Sequence, residues 1–396
     1  MPLMGIDVGS TNMKCVVIAD DGQLLSLVKI PSVLISQTPD GKSYIDGDIL
    51  LDAVIKMSEE AYIDSGINKL DGVAIAGVGC APVIIDVNGK QIQIQEPENN
   101  IFSDPLPELT NEDFRQLCGY SKEYSLGVYA ILKHFTDIDE SISLMSISDY
   151  LNFRLTGVRK RDRSTAGSFA LLNRKTKEYL TDMFTQFNVN SNFLPELCDS
   201  GDFLGEFKIS SFYSLLNGTP IFAGGHDYLC AAFAAGCVGT GDMVNVLGTY
   251  EMLASFYEHP VYAPDESDFY TFMDQHVFPG RFTVTAELHS NYTIDPDSKN
   301  SSKMYDYQLR LIEDIKKLRV MIVGGGSVDI NRVQKRADES GLILHVPAIS
   351  EATATGAALL AGVGCGIYTS HTQAAYVYEN IETKTYYPDR LTSEPL

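Results

Sequence analysis

The decapeptide Gly5-Ile6-Asp7-Val8-Gly9-Ser10-Thr11-Asn12-Met13-Lys14 puts one carboxylate, two glycines and a run of small polar side chains into a tight turn between apolar segments. Glycine and small side chains let backbone N–H groups approach a phosphate, and an aspartate at the end of a strand can hold Mg²⁺ directly or through water. The pattern suits a loop that holds a phosphate and its metal. The same D-x-G-S string also occurs as an ordinary hairpin turn, so position must decide. A second turn of similar design, Leu247-Gly248-Thr249, divides the apolar run from Met243 to Phe256. Facing hairpins of this kind could grip a phosphate chain from both sides. The similarity between the two is too short to establish an internal repeat. A third small-residue loop, Gly324-Gly325-Gly326-Ser327, follows the buried-strand run Val320 to Val323 and precedes a helical run through Asn331 to Ser340. Such a loop can lie flat against a ribose or adenine and offer a helix N-terminus to anionic groups. It is not a G-x-G-x-x-G fingerprint, which fails at Asp329, and no P-loop exists; at Gly41-Lys42-Ser43, Ser36 stands where the first glycine should be.

These loops need strands and helices to hold them. Met4 to Val8, Met13 to Ile18 and Leu24 to Ile30, with Asp20-Asp21-Gly22 as a turn, predict a three-stranded meander. Ile49 to Ala61 has helical periodicity, Gly72 to Gly77 reads as a buried strand, and Pro82 to Val87 runs into the turn Asn88-Gly89. Asn111 to Gln186 looks mainly helical, with Gly157 as a C-cap. After Pro220 the strand pattern restarts with Ile221 to Gly225 and an alanine-rich helix, Tyr228 to Ala235, and a further small-residue helix spans Glu351 to Gly364. The reading is α/β with two domains, 1–218 and 219–396.

The 396 residues carry 30 Lys+Arg against 52 Asp+Glu, a net charge of −22 without any local basic cluster, which argues against nucleic-acid and anionic-membrane partners. The cysteines at 15, 80, 118, 198, 230, 237 and 365 are dispersed, with no C-x-x-C pair, as expected of free thiols in a reducing compartment. No signal segment or apolar run of membrane-spanning length is present, so the expectation is a soluble cytoplasmic protein.

Taken in order, the pieces resemble the FGGY carbohydrate kinases, within the actin, hexokinase and heat-shock ATPase superfold. Gly5 to Lys14 is similar to the first phosphate loop, Ser148 to Leu151 with Leu155-Thr156-Gly157 to the D-Y-L…L-T-G segment, and Asp162 to Asn173 to the following D-x-S-x-A stretch. Gly224-Gly225-His226-Asp227 resembles the catalytic G-G-H-D, Leu247-Gly248-Thr249 the second phosphate loop, and Gly324 to Ser327 with Gln334 and Ala337-Asp338 the adenosine segment. Glu351-Ala352 through Gly356-Ala357-Ala358 is similar to the closing helix. The resemblance implies two ribonuclease-H-like (actin-like ATPase) domains with an interdomain cleft, ATP and Mg²⁺ as cofactors, and a small sugar, polyol or sugar acid, xylulose- or gluconate-like, as acceptor. A homodimer is a family-based expectation.

On that reading Asp227 is the base for the attacking hydroxyl, with an N-cap aspartate as the alternative. Asp7 holds Mg²⁺ through water. Ser10, Thr11, Asn12 and Lys14 contact phosphates, and Gly248 and Thr249 meet them from the second hairpin. Gly325, Gly326 and Gln334 surround adenosine, an exposed helix position being the other reading of Gln334. Cys80, Ala81, Asp104 and His226, with Asp227, line the sugar site; Asp104 reads equally as an exposed turn residue. The chain departs from better-known members around Gly77 to Pro82, where neither Q-M-H-G nor an Arg-Glu pair appears, and after Asp104, where Pro105 and Leu106 replace an arginine. It has no tryptophan for a sugar platform, which leaves Phe102, Tyr124, Tyr228 or no aromatic platform at all. Only a brief stretch separates Thr249 from Gly324. Two other readings stay open: a non-catalytic sugar sensor on the same fold, and an actin-like ATPase that does not act on sugars.

Overall fold

The computed structural model describes the chain except residues 38–42, 80, 93–105, 107, 210–213, 290–299, 313, 315–316 and 390–396. Two mixed sheets form its frame. The first has the spatial order Phe203–Glu206, Pro220–His226, Gly72–Gly77, Leu3–Val8, Asn12–Ile18, Leu24–Pro31. Leu3–Val8 pairs antiparallel with the next strand of the meander and parallel with Gly72–Gly77. The second sheet runs Tyr270–Gln275, Phe282–His289, Tyr250–Tyr257, Asp242–Leu247, Arg319–Val323, Leu344–Pro347, Thr383–Tyr386. Its Asp242–Leu247 strand repeats the plan, antiparallel to the Tyr250 strand and parallel to Arg319–Val323.

The two sheets therefore match strand for strand, the second carrying Tyr270–Gln275 as an extra edge. In each, the hairpin turn falls at the end of a strand buried on both faces. Leu3–Val8 is buried throughout, which accounts for its continuous apolar run instead of alternation. The division expected at residue 218 needs correction on one point: Pro220–His226 pairs in parallel with Gly72–Gly77, so the first sheet collects a strand from beyond that boundary.

Between the sheets lies a layer of small-residue helices. Asp227–Ala234 and Ala352–Gly364 pack against each other and bury nearly every alanine they contain. The contact is close because glycine stands at the crossing points: a Cβ at Gly356 would come within 1.9 Å of the Cys230 carbonyl, and one at Gly5 within 1.8 Å of the Ala354 carbonyl. The outer face of the first sheet is covered by Gly47–Asp64 and Ile147–Thr156. Asn300–Leu311 and Ile330–Ser340 cover the second. Asp46, Ser146 and Asp329 accept first-turn N–H groups of three of these helices, and Gly157 at φ 79° ends the Ile147 helix as expected. Among the described residues no helix is long and apolar enough to cross a membrane.

Candidate active site

The turns of the two meanders meet. Thr11 Oγ1 and Thr249 Oγ1 lie 2.8 Å apart across 238 residues of sequence, where Ser10, Thr11, Gly248 and Thr249 are exposed and Asn12 is half-buried. Two turns rich in small residues thus face one another, as a phosphate chain would need.

Asp7 sits just behind the first turn, on the inner strand, 4% exposed. Its Oδ2 accepts from Lys14 Nζ at 3.1 Å, and the same ammonium lies 3.2 Å from Glu351, which also contacts Lys29 at 3.5 Å. Lys14 is thus held between two carboxylates, and the phosphate contact expected of it would have to be made in competition with them. Burial pushes the Asp7 carboxyl up to about 6, against the pull of Lys14 and with added repulsion from Asp227 and Glu351.

Asp227 opens the helix between the sheets, and a β-bulge aims it. The Pro220–His226 strand shifts register against Gly72–Gly77 between Ala223 and Gly225. Gly224 passes so near Ile75 that a Cβ would lie 2.4 Å from its carbonyl oxygen; Gly225 has φ +101° and would meet Ser164 Oγ and Val277 at 2.7 Å. Only glycines fit this bend, which is the physical content of the G-G-H-D string. The Asp227 side chain is 26% exposed, and its Oδ1 accepts the Tyr228 N–H at 2.6 Å. Burial raises its pKa, opposed by His226, the Tyr228 N–H and Lys14.

His226 is not open to the cleft. It is 4% exposed, and a Cβ on Gly79 would come within 2.4 Å of its Nε2. Its Nε2 lies 3.5 Å from Asp227 and its Nδ1 3.7 Å from Asp274, so one imidazole stands between two carboxylates. Burial pulls the imidazole pKa down, but Asp274, Asp227 and Glu287 outweigh it and the net displacement is upward. The residue expected at the sugar site is thus buried beside Asp227.

Gln334 is engaged within the chain. Its amide donates to Asp338 at 3.0 Å and to the Tyr387 carbonyl at 2.7 Å, tying its helix to the last strand instead of reaching over the glycine loop. Gly325 is exposed and Gly326 half-exposed, on the loop as predicted, and Gly324 takes φ +92° above Leu247. Ala81 is half-buried, between the Gly72–Gly77 strand and the strand that starts at Val83. Cys80, Phe102 and Asp104 lie outside the described residues.

Sequence reasoning missed residues supplied by the extra edge and its neighbour. Asp274, 6% exposed, accepts the Tyr120 hydroxyl at 2.7 Å; Tyr120 in turn stacks on Phe272 at 5.0 Å, with Tyr124 at 6.2 Å. Tyr228 is buried, its ring 4.7 Å from that of His226 and its hydroxyl within reach of Thr283 and Thr285. Glu287 shares the strand parity of those threonines. The available signal was an acidic or hydroxyl residue at every second position, 283, 285 and 287, of an otherwise apolar strand.

Below Thr249 lies a second missed cluster. Glu251, fully buried, accepts from Arg336 at 3.0 and 2.9 Å, from Asn245 at 3.0 Å and from Ser301 at 3.2 Å, with Arg332 at 3.6 Å. It ties the second hairpin to the two helices on its outer face.

Sequence models of known families find the N-terminal domain of the FGGY family of carbohydrate kinases at residues 127–234. The xylulose kinase of Bacillus subtilis strain 168 is 23% identical in a match that covers 74% of this chain and 60% of that protein. The xylulose kinase of Lactococcus lactis is 22% identical over 98% of this chain and 92% of its own. Among solved structures, the xylulose kinase of Rhodospirillum rubrum superimposes with a TM-score of 0.80 at 16% identity, covering 98% of this chain and 94% of that one. Residues 127–234, which include the Asp227 helix, thus match the N-terminal domain of the FGGY family of carbohydrate kinases, and the chain is similar to xylulose kinases along nearly its whole length and shares their fold.

Proposed function

We propose that this protein transfers the γ-phosphate of ATP to a hydroxyl of a small sugar, polyol or sugar acid, with xylulose- and gluconate-like compounds as the first candidates. The observation that carries this reading is the 2.8 Å contact between Thr11 and Thr249, which faces the two hairpins across one cleft in front of Asp7 and Asp227. Phosphoryl transfer asks of a protein mainly positioning and charge stabilisation.

Asp227 is the base. Burial raises its pKa, which makes its carboxylate a stronger proton acceptor, and its backbone is fixed by the Gly224-Gly225 bend. His226 holds its orientation from beneath. The hydroxyls of Ser10, Thr11 and Thr249 and the N–H groups of both turns bind the transferring phosphoryl group, and the loop from Gly324 to Ser327 receives the nucleoside. Asp7 is a buried carboxylate whose pKa is raised by burial, with Asp227 and Glu351 adding repulsion, and such a concentration of negative charge suits a divalent cation. Mg²⁺ held through Asp7 and water would neutralise charge on the β- and γ-phosphates.

The test is ADP release from MgATP by purified protein with xylulose, ribulose, gluconate, glycerol, erythritol and common hexoses. Strong stimulation by one compound supports the kinase. In Asp227→Asn, turnover should fall about 10²- to 10⁴-fold with ATP binding retained; near-normal turnover would remove Asp227 as base.

A further inference from the structure

One carboxylate in the site has no task in the reaction just described. Glu287 pairs with Met252 on one side and Tyr270 on the other, and shares a face with Thr283 and Thr285, whose hydroxyls lie 3.4 and 3.1 Å from that of Tyr228. That face is turned toward the Asp227 helix. Glu287 stands one step further toward the phosphate turn than Thr285, since Tyr250, next to Thr249, pairs with His289. It is 7% exposed and has no hydrogen-bond or ion-pair partner among the described residues. Burial first, and repulsion from Asp227, push its pKa up to about 7, partly offset by His226.

A carboxylate left unpaired at such depth is costly unless something donates to it. Among the described residues the protein does not supply the donor. Nor does it balance the charge: Asp227 and Asp274 share the wall, their ion-pair partner among the described residues is His226, and Lys14 is held by Asp7 and Glu351. Adjacent hydroxyls of a polyhydroxy compound match the need, because two carboxylate oxygens accept two O–H donors at once. A ligand carboxylate would instead bring like charge into an acidic, poorly hydrated wall.

We infer that Glu287 is a specificity-determining contact that accepts hydrogen bonds from vicinal hydroxyls of a neutral ketose or polyol, and that the acidic wall of Asp227, Asp274 and Glu287 excludes sugar acids. This narrows the acceptor class and rests on the kinase reading only in taking this cleft as the acceptor site.

The test is calorimetric titration of the intact protein with xylulose, xylitol and gluconate without nucleotide, for wild type, Glu287→Gln and Glu287→Asp. Circular dichroism checks folding. Wild type should bind a neutral compound and not gluconate. Glu287→Gln should bind that compound about 10- to 100-fold more weakly and admit gluconate. Glu287→Asp, which keeps the charge but retracts it, should also bind the neutral compound more weakly while still refusing gluconate, so the argument survives failure of one variant to fold. Gluconate binding to wild type as tightly as xylulose, unchanged affinity in both variants, or no binding of any of the three compounds would each overturn the inference. Parallel ADP-release assays separate the two readings. Neutral-ligand binding without ADP release refutes the kinase and leaves the Glu287 assignment standing, whereas ADP release with gluconate in wild type does the reverse.

Discussion

Replacing Glu251 by Gln should destabilise the protein more than most single substitutions outside the cleft. The carboxylate is fully buried and takes both a 3.0 and a 2.9 Å bond from Arg336, plus bonds from Asn245 and Ser301. Glutamine keeps the shape and some of these bonds but leaves Arg336, itself only 6% exposed, facing no full negative charge except the half-buried Glu339 at 3.0 Å. Removing one partner of a buried pair costs about 3–5 kcal/mol, and the Glu339 contact argues for the lower end of that range. Replacing both residues, Glu251→Leu with Arg336→Met, should cost less than the sum of the two singles, because no uncompensated charge remains. Urea titration at pH 7 measures all three. The pH dependence has a defined sign. Burial alone would raise the Glu251 carboxyl, but Arg336 and the other donors hold it below the usual 4.5. Its stabilisation is therefore present above pH 4.5 and is lost as pH falls through the lower folded value, so wild type and Glu251→Gln should converge in acid. Since Glu251 follows Thr249 by two residues, the variant should also raise KM for ATP more than for the acceptor. A loss under about 1 kcal/mol, or a double variant whose cost equals the sum of the singles, would refute the argument that this network holds the second hairpin.

Three other outcomes follow from the same structure. Glu287→Gln should be more stable than wild type at pH 8 by about 3 kcal/mol, since a glutamate moved from 4.5 to about 7 disfavours the folded state once ionised; the gain should vanish below pH 4.5, as thermal melts at pH 4 and pH 8 will report. Gly225→Ala should cost about 2–4 kcal/mol, combining a φ of +101° with 2.7 Å contacts to Ser164 and Val277; a melting temperature equal to wild type would contradict the packing described for the bulge. Thr249→Val should raise KM for ATP and leave acceptor binding, measured by titration, within about twofold, whereas equal loss of both would place Thr249 outside the phosphate site.

Local chemistry accounts for what could be read along the chain. The turn from Gly9 to Asn12, the Gly224-Gly225 bend, the glycine loop from Gly324 and the Gly356-Ala357-Ala358 helix were legible because each depends on a missing Cβ or a small side chain at a fixed position, a property of the residue itself. Capping and periodicity likewise placed the Gly47–Asp64 and Ala352–Gly364 helices to within about three residues. The duplication was only a faint likeness of two hairpins in the sequence. It became clear in the strand order of two sheets, because strand pairing between Asp242–Leu247 and Arg319–Val323 leaves no local trace.

The amino-acid sequence by itself determined which turns have the composition of a phosphate loop, the acidic character of the chain, and Asp227 as the residue proposed as base. Only the tertiary structure decided what surrounds Asp227. The Asp274 and Glu287 carboxylates come from strands 47 and 60 residues later and meet His226 solely because the sheets face one another across the helical layer. Folding likewise decided that His226 is buried between Asp227 and Asp274, that Lys14 is held by Glu351, and that Gln334 bonds to the Tyr387 carbonyl. In each case the determinant is burial or the approach of a distant charge, and neither is encoded within reach of the residue it governs.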